Sequence, residues 1–272
     1  MKDDKFKNDS FKNDSEEEQE EQGGNCPNDK AEENINDFGI TNLPFNFNSE
    51  IQYMSIIGHI EGHNTLPPQN KTTKYEHIIP QLIAVEENPK IKGLLTVLNT
   101  VGGDVEAGLA IAELIATISK PTVSIVLGGG HSIGAPLATA SKYSFIAESA
   151  TMTLHPIRMN GLVISAEQTF NYFRKMQERI VDFIVRTSKT SKEVVTGLMN
   201  ETDDMANDMG TILIGKEAVE LGLIDEVGGL HRALEKLREM IKEQEGQGEM
   251  QGQGKMQAQV QEQGQAQFKH MQ

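Results

Sequence analysis

Residues 130–134 read Gly130-His131-Ser132-Ile133-Gly134, a serine framed by glycines. Glycines on both sides let a backbone bend sharply between a strand and a helix and present the hydroxyl outward. A helix expected to begin at Ser132 would bring unpaired backbone N–H groups and a positive dipole end to any oxyanion formed there. On this pentapeptide alone, a plain glycine turn closed by a helix-capping serine is an equally good reading. A serine hydroxyl is hardly ionised at neutral pH, so nucleophilic chemistry also needs a base, and histidine has the suitable ordinary pKa. His155 is the best placed candidate, in Leu154-His155-Pro156 at an expected strand end, where the proline keeps the preceding residue extended. A strand-end histidine often serves structure alone, and that alternative stays beside the catalytic one. A carboxylate should orient the imidazole, and Asp203, Asp204 and Asp208 all offer one.

Spacing weakens the competing readings. A dinucleotide fingerprint started at Gly128 needs glycine at position 133, where the chain has Ile133, so no nucleotide cofactor is expected. An α/β-hydrolase order would run Ser132, Asp204, His231, but His231 falls in an expected surface helix of a short C-terminal region. His59 and His63 do not make a metal pair, because Gly62 and the strand pattern before it are wrong for two ligands on one helix face. No metal site is expected. His131, beside the serine, suits either tuning the nucleophile or lining a pocket wall. Arg158 suits either a substrate carboxylate or a surface acid.

The order of elements around these residues implies an α/β fold. Strands are expected at Ile51–Ile57, Ile91–Leu98 and Thr122–Leu127, with helices at Thr73–Glu87, Val105–Ser119 and Ser132–Ala140. The pairs Gly102-Gly103 and the run Gly128-Gly-Gly130 read as turns, with Asp104 capping the second helix. Alternation of this kind gives a parallel sheet with right-handed crossovers. Short strands follow at Tyr143–Ile146 and Thr151–His155. A long helix then runs from a capping box at Ser165 and Gln168 to about Ser188. Phe170, Phe173, Gln177, Ile180 and Ile184 share one of its faces, while Tyr172, Met176 and Phe183 form a second apolar stripe, which suits contact with another subunit. Helices at Lys192–Met199, Lys216–Leu221 and Leu230–Lys242 complete the core.

Apolar residues concentrate between these limits, so residues 50–242 form the expected domain. Residues 1–49 hold 13 acidic against 5 basic residues, about half of the net charge of −15, with too few apolar side chains to offset the entropy of ordering. Residues 243–272 are rich in Gln, Gly and Met. Both ends are expected to be disordered tails. A lone Cys26 excludes an internal disulfide and fits a reducing compartment. The longest apolar run, 108–118, contains Glu113, so membrane insertion is not expected and the protein is read as soluble and cytoplasmic. A pI near 4.9 without a basic stripe argues against nucleic acid.

Four segments, in order, resemble the ClpP-type serine peptidase family of the ClpP/crotonase superfamily, and within it the translocation-enhancing TepA-type branch. They are Asn99-Thr-Val-Gly-Gly103 with Ala107-Gly108, the serine turn 130–134, Leu154-His155-Pro156, and Lys216-Glu-Ala-Val-Glu-Leu-Gly-Leu-Ile-Asp225. The resemblance implies a spiral of ββα units with a long handle helix, Ser132 as nucleophile, His155 as base, and the N–H groups of Gly103 and Ile133 as oxyanion hole. It implies Asp208 as the acid, with Asp204 the next choice. It also implies a polypeptide substrate and a homo-oligomeric ring, with the helix at 165–188 as the contact between rings. The chain departs from the family in having Gly130-His131 before the serine in place of Ala-Ala, in Pro156 in place of Gln, and in its acidic N-terminal tail, which leaves a Clp-type ATPase partner in doubt. A crotonase-like acyl-CoA enzyme, using the same two N–H donors on an enolate, and a non-catalytic ring scaffold are the alternatives.

Overall fold

A computed structural model describes residues 49–158, 165–202 and 209–247. Its frame is a sheet of three long parallel strands, β1 (Ile51–Glu61), β3 (Gly93–Gly103) and β4 (Thr122–His131), flanked by β2 (Thr72–Lys74) and β5 (Tyr143–Ile146). The sheet order is β2-β1-β3-β4-β5-β8, where β8 is Glu226–Val227. Parallel strands buried on both faces call for continuous apolar runs, and Leu94, Leu95 and Leu98 on β3 and Val123, Ile125 and Val126 on β4 are all fully buried.

Helices α1 (Tyr75–Glu87) and α2 (Val105–Thr117) follow β2 and β3. They pack Ile78, Leu82, Val85, Ile111 and Ile115 into the larger of two cores. Asp104 caps α2 as its sequence position suggests, accepting the Ala107 N–H at 2.8 Å. A C-terminal helix over residues 230–247, α7, covers the other sheet face with Ala233, Leu237 and Ile241 against Ile51, Leu95, Val123, Ile125 and Phe145.

Where the glycines were expected to end strands, the strands continue. β3 runs through Gly102-Gly103 and β4 runs through Gly128-Gly-Gly130 to His131. The reason is that β4 changes partners along its length. Its first half pairs with β5, and residues 129–131 pair with β6 (Thr151–Leu154), so glycines stand where the strand crosses from one neighbour to the next. β6 in turn pairs antiparallel with β7 (Thr211–Ile214), an edge that the expected all-parallel sheet did not include.

The short helix after the serine, α3, spans Gly134–Thr139 and begins two residues later than expected. The long helix α4 spans Ala166–Thr187, but the Ser165 side chain makes no capping hydrogen bond, so the expected capping box does not form. Met176, Ile180, Val181, Phe183 and Ile184 bury its C-terminal half, whereas Phe170 and Tyr172 near its start are 67% and 50% exposed. Two exposed ion pairs tie α4 to α2. Arg179 grips Glu106 with both nitrogens, at 2.6 and 2.9 Å, and Arg186 meets Glu113 at 2.7 Å. Arg179 holds the Glu106 carboxyl below its ordinary range by direct hydrogen bonding. Helices α5 (Lys192–Asn200) and α6 (Lys216–Glu220) close the structure beside β7. Among the described residues no helix is long and apolar enough to cross a membrane.

Candidate active site

Ser132 stands immediately beyond the end of β4 with φ 57°, the one described non-glycine residue in the left-handed region. A side chain there costs on the order of 1–2 kcal/mol of backbone strain. Hydrogen bonds on both sides hold it. The Ser132 N–H donates to the Thr153 carbonyl at 2.8 Å, and the Ser132 carbonyl accepts the Ala135 N–H at 3.0 Å as α3 begins. The sharp turn crowds neighbouring backbone, which explains the surrounding small residues. A Cβ at Gly134 would come within 2.7 Å of Thr100 Cγ2, and one at Gly108 within 2.4 Å of Ile133 Cγ1.

The serine opens into a cavity of about 220 Å³. Val105, Ala135, Leu154, Ile157, Ile180 and Met199 give it an apolar wall, while His59, Gly103, Ser132, Ile133, His155 and Arg158 supply polar groups. A larger groove of about 410 Å³ between α2 and α4 is lined by Glu106, Glu113, Arg179, Asp182 and Arg186. Each of those charges is held in an ion pair, so the groove offers no unengaged reactive group.

Gly103 and Ile133, whose N–H groups were expected to form an oxyanion hole, both line the cavity. The Asp104 N–H donates to Ile60, the residue opposite Gly103 in the β1–β3 ladder. By the alternation of a parallel ladder, the N–H of Gly103 itself turns away from β1, and Gly103 lines the cavity. Position 103 must be glycine for a separate reason, because a Cβ would lie 2.2 Å from the Ile60 carbonyl oxygen. Ile133, the residue before α3, lines the same cavity, and its N–H has no hydrogen-bond acceptor among the described residues. Thr100 fixes this strand end by donating to the Gly58 carbonyl at 2.6 Å and accepting the Gly102 N–H at 3.0 Å.

His155 follows β6 and faces the cavity with Ser132. Its Nδ1 lies 2.7 Å from the Pro156 carbonyl oxygen. A carbonyl only accepts, so Nδ1 carries the proton and Nε2 is left as the basic nitrogen. Ser132 Oγ and His155 are not hydrogen-bonded to each other in this conformation. Asp208, Asp204 and Asp203 lie outside the described residues. The chain resumes at Met209 and Gly210, where a Cβ on Gly210 would meet the Leu154 carbonyl oxygen at 2.5 Å and His155 Cβ at 2.8 Å.

His131 is not part of the cavity wall, which removes the pocket-wall reading of that residue. His231 is exposed on α7 and does not line the cavity that holds Ser132, so the Ser132–Asp204–His231 order has no support. His63 contacts Tyr75 instead of pairing with His59, and no cluster of three metal-ligating side chains exists among the described residues. Sequence reasoning missed His59 as a cavity residue, although the alternation of β1 was the signal that could have placed it. It also gave no role to Asp225 of the last resemblance segment. Asp225 accepts both the N–H and the hydroxyl of Ser144 at 2.9 Å and pairs with Lys189, which pins the start of β5.

The fold agrees with comparison to known proteins. The chain belongs to the Clp protease family, whose family description matches residues 51–231. It is 60% identical over 213 residues to the translocation-enhancing protein TepA of Halalkalibacterium halodurans, an alignment covering 78% of this chain and 83% of that relative. It is 27% identical over 140 residues to the ATP-dependent Clp protease proteolytic subunit 1 of Chlamydia muridarum, covering 49% of this chain and 69% of that one. The Clp protease proteolytic subunit of Streptococcus mutans matches at 26% over 160 residues, 55% of this chain and 76% of the relative.

Proposed function

We propose that the protein is a serine endopeptidase that cleaves unfolded or small polypeptides through an acyl-enzyme on Ser132. The observation that carries this reading is the left-handed backbone of Ser132, which aims a hydroxyl into the cavity shared with His155 and Gly103. His155 Nε2 takes the hydroxyl proton as Oγ bonds to the scissile carbonyl carbon, then gives that proton to the leaving amine as the C–N bond breaks. Water, deprotonated by the same nitrogen, attacks the ester and returns the serine. The N–H groups of Gly103 and Ile133 stabilise the oxyanion in both steps. Because Oγ and the imidazole are not joined at rest and the Nδ1–H is held by the Pro156 carbonyl, a turn of the imidazole that frees the Nδ1–H for a carboxylate and brings Nε2 to Oγ precedes catalysis, in keeping with apo sites that tighten on substrate binding.

Asp208 orients the imidazole in this reading. It lies two residues before Gly210, which packs against His155, and a chain advances at most about 3.8 Å per residue. The assembly is a homo-oligomeric ring, with the exposed Phe170 and Tyr172 of α4 buried between copies, and the activity is linked to protein translocation, a reading supported by the name of the 60%-identical relative. The test is hydrolysis of fluorogenic peptides by the full chain. Turnover by the wild type that Ser132→Ala, His155→Ala and Asp208→Asn each reduce at least about a hundredfold is the expected result. Turnover unaffected by Ser132→Ala contradicts it.

A further inference from the structure

β4 and β6 carry the nucleophile and the base, yet they pair over only three positions, Gly129 with Thr151, Gly130 with Met152 and His131 with Thr153. Two of the three β4 residues are glycines, and a strand without side chains specifies its register weakly. His131 is the exception. Its imidazole lies over Gly129, so closely that a Cβ there would come within 2.6 Å of Nε2, and reaches across to β6. Nδ1 lies 2.8 Å from Thr153 Oγ1, and Nε2 lies 3.4 Å from Thr151 Oγ1. The same Thr153 uses its carbonyl to receive the Ser132 N–H at 2.8 Å, and His155 follows two residues later. One buried threonine therefore holds the nucleophile turn by its main chain and the residue before the nucleophile by its side chain.

We propose that His131 is a positioning residue whose imidazole, bonded to Thr153, locks β4 against β6 and so keeps Ser132 and His155 facing each other across one cavity. This rests on the hydrolase reading above. A slip of one residue between the strands is a movement of about 3.3 Å and turns each side chain to the opposite face, far beyond what proton transfer tolerates. The Thr153 carbonyl also restrains a serine backbone that has no intrinsic preference for its left-handed conformation. His131 acts through Thr153 and touches no reacting atom.

The experiment compares second-order labelling rates by a fluorophosphonate, together with melting temperatures, for the full-length wild type, His131→Ala, His131→Asn, Thr153→Val and the double variant His131→Ala/Thr153→Val. An asparagine amide can replace Nδ1, and valine keeps the shape of threonine without its hydroxyl. His131→Ala and Thr153→Val should each slow labelling about tenfold or more, the double variant should be no slower than the slower single one, and His131→Asn should recover to within about threefold of wild type. Should His131→Ala fail to fold, Thr153→Val and His131→Asn carry the same test. Wild-type labelling that His131→Ala leaves unchanged, or losses that multiply in the double variant, overturn the positioning role alone. A wild type that does not label overturns the hydrolase reading and the positioning role with it.

Discussion

Single residues here are constrained by contacts that their types do not announce. Gly103 is the clearest case. Its replacement by alanine sets a Cβ 2.2 Å from a strand carbonyl and, in the proposed mechanism, displaces one of the two N–H groups that hold the oxyanion, so Gly103→Ala should lower peptide hydrolysis at least about a hundredfold in a protein that still folds by circular dichroism. His131 makes a second prediction. Burial first, and the charge of His155 next, hold its pKa below the ordinary histidine value. The folded state therefore binds fewer protons than the unfolded chain, and His131 contributes its full stability only above the unfolded value of about 6.5. That contribution is lost as pH falls below it, so the melting temperature should decline from pH 7.5 to 5.5 more steeply in the wild type than in His131→Asn. That Ser132 sits in a sharp glycine-framed turn and His155 at a strand end before proline was legible in the sequence, and both line one cavity. The partnership of His131 with Thr153 was not legible, since it depends on cross-strand register between segments 22 residues apart.

At the scale of elements, the sequence yielded the strand and helix alternation but misread what the glycines do. Glycine pairs and triplets usually mark turns, yet here they extend β3 and β4 to the site, because close approach of neighbouring backbones, at Gly103 and at the fork of β4, requires them. β2, β7 and β8, of two to four residues each, are too short to show periodicity and exist only through their partners. The same dependence on partners explains Asp225, which holds β5 from 81 residues away. Asp225→Ala leaves the Ser144 N–H and hydroxyl without their acceptor, and should destabilise the protein by about 1–3 kcal/mol in urea unfolding while leaving the cavity residues unaltered. A change below about 0.5 kcal/mol would show that Ser144 finds another partner.

For the whole molecule, the apolar domain between two polar ends and the ordering of its resemblance segments made the family recognisable, and the family description covers residues 51–231. The acid of the proposed triad was the least legible part, since three aspartates within six residues differ in nothing that spacing alone can rank. In the proposed ring, assembly would fall to α4, whose buried C-terminal half anchors it while Phe170 and Tyr172 remain exposed in the single chain. Phe170→Ser/Tyr172→Ser should shift the particle to a smaller sedimentation coefficient without changing the far-ultraviolet dichroism of the subunit. An unchanged coefficient would place the subunit contact elsewhere.

The central claim is that Ser132 is an activated nucleophile, and the most direct measurement is fluorophosphonate modification of the purified full-length protein with the labelled peptide located by mass spectrometry. Modification of Ser132 that is lost in His155→Ala is the predicted result. Absence of any labelling across the pH range of stability, or labelling that persists without His155, would contradict it.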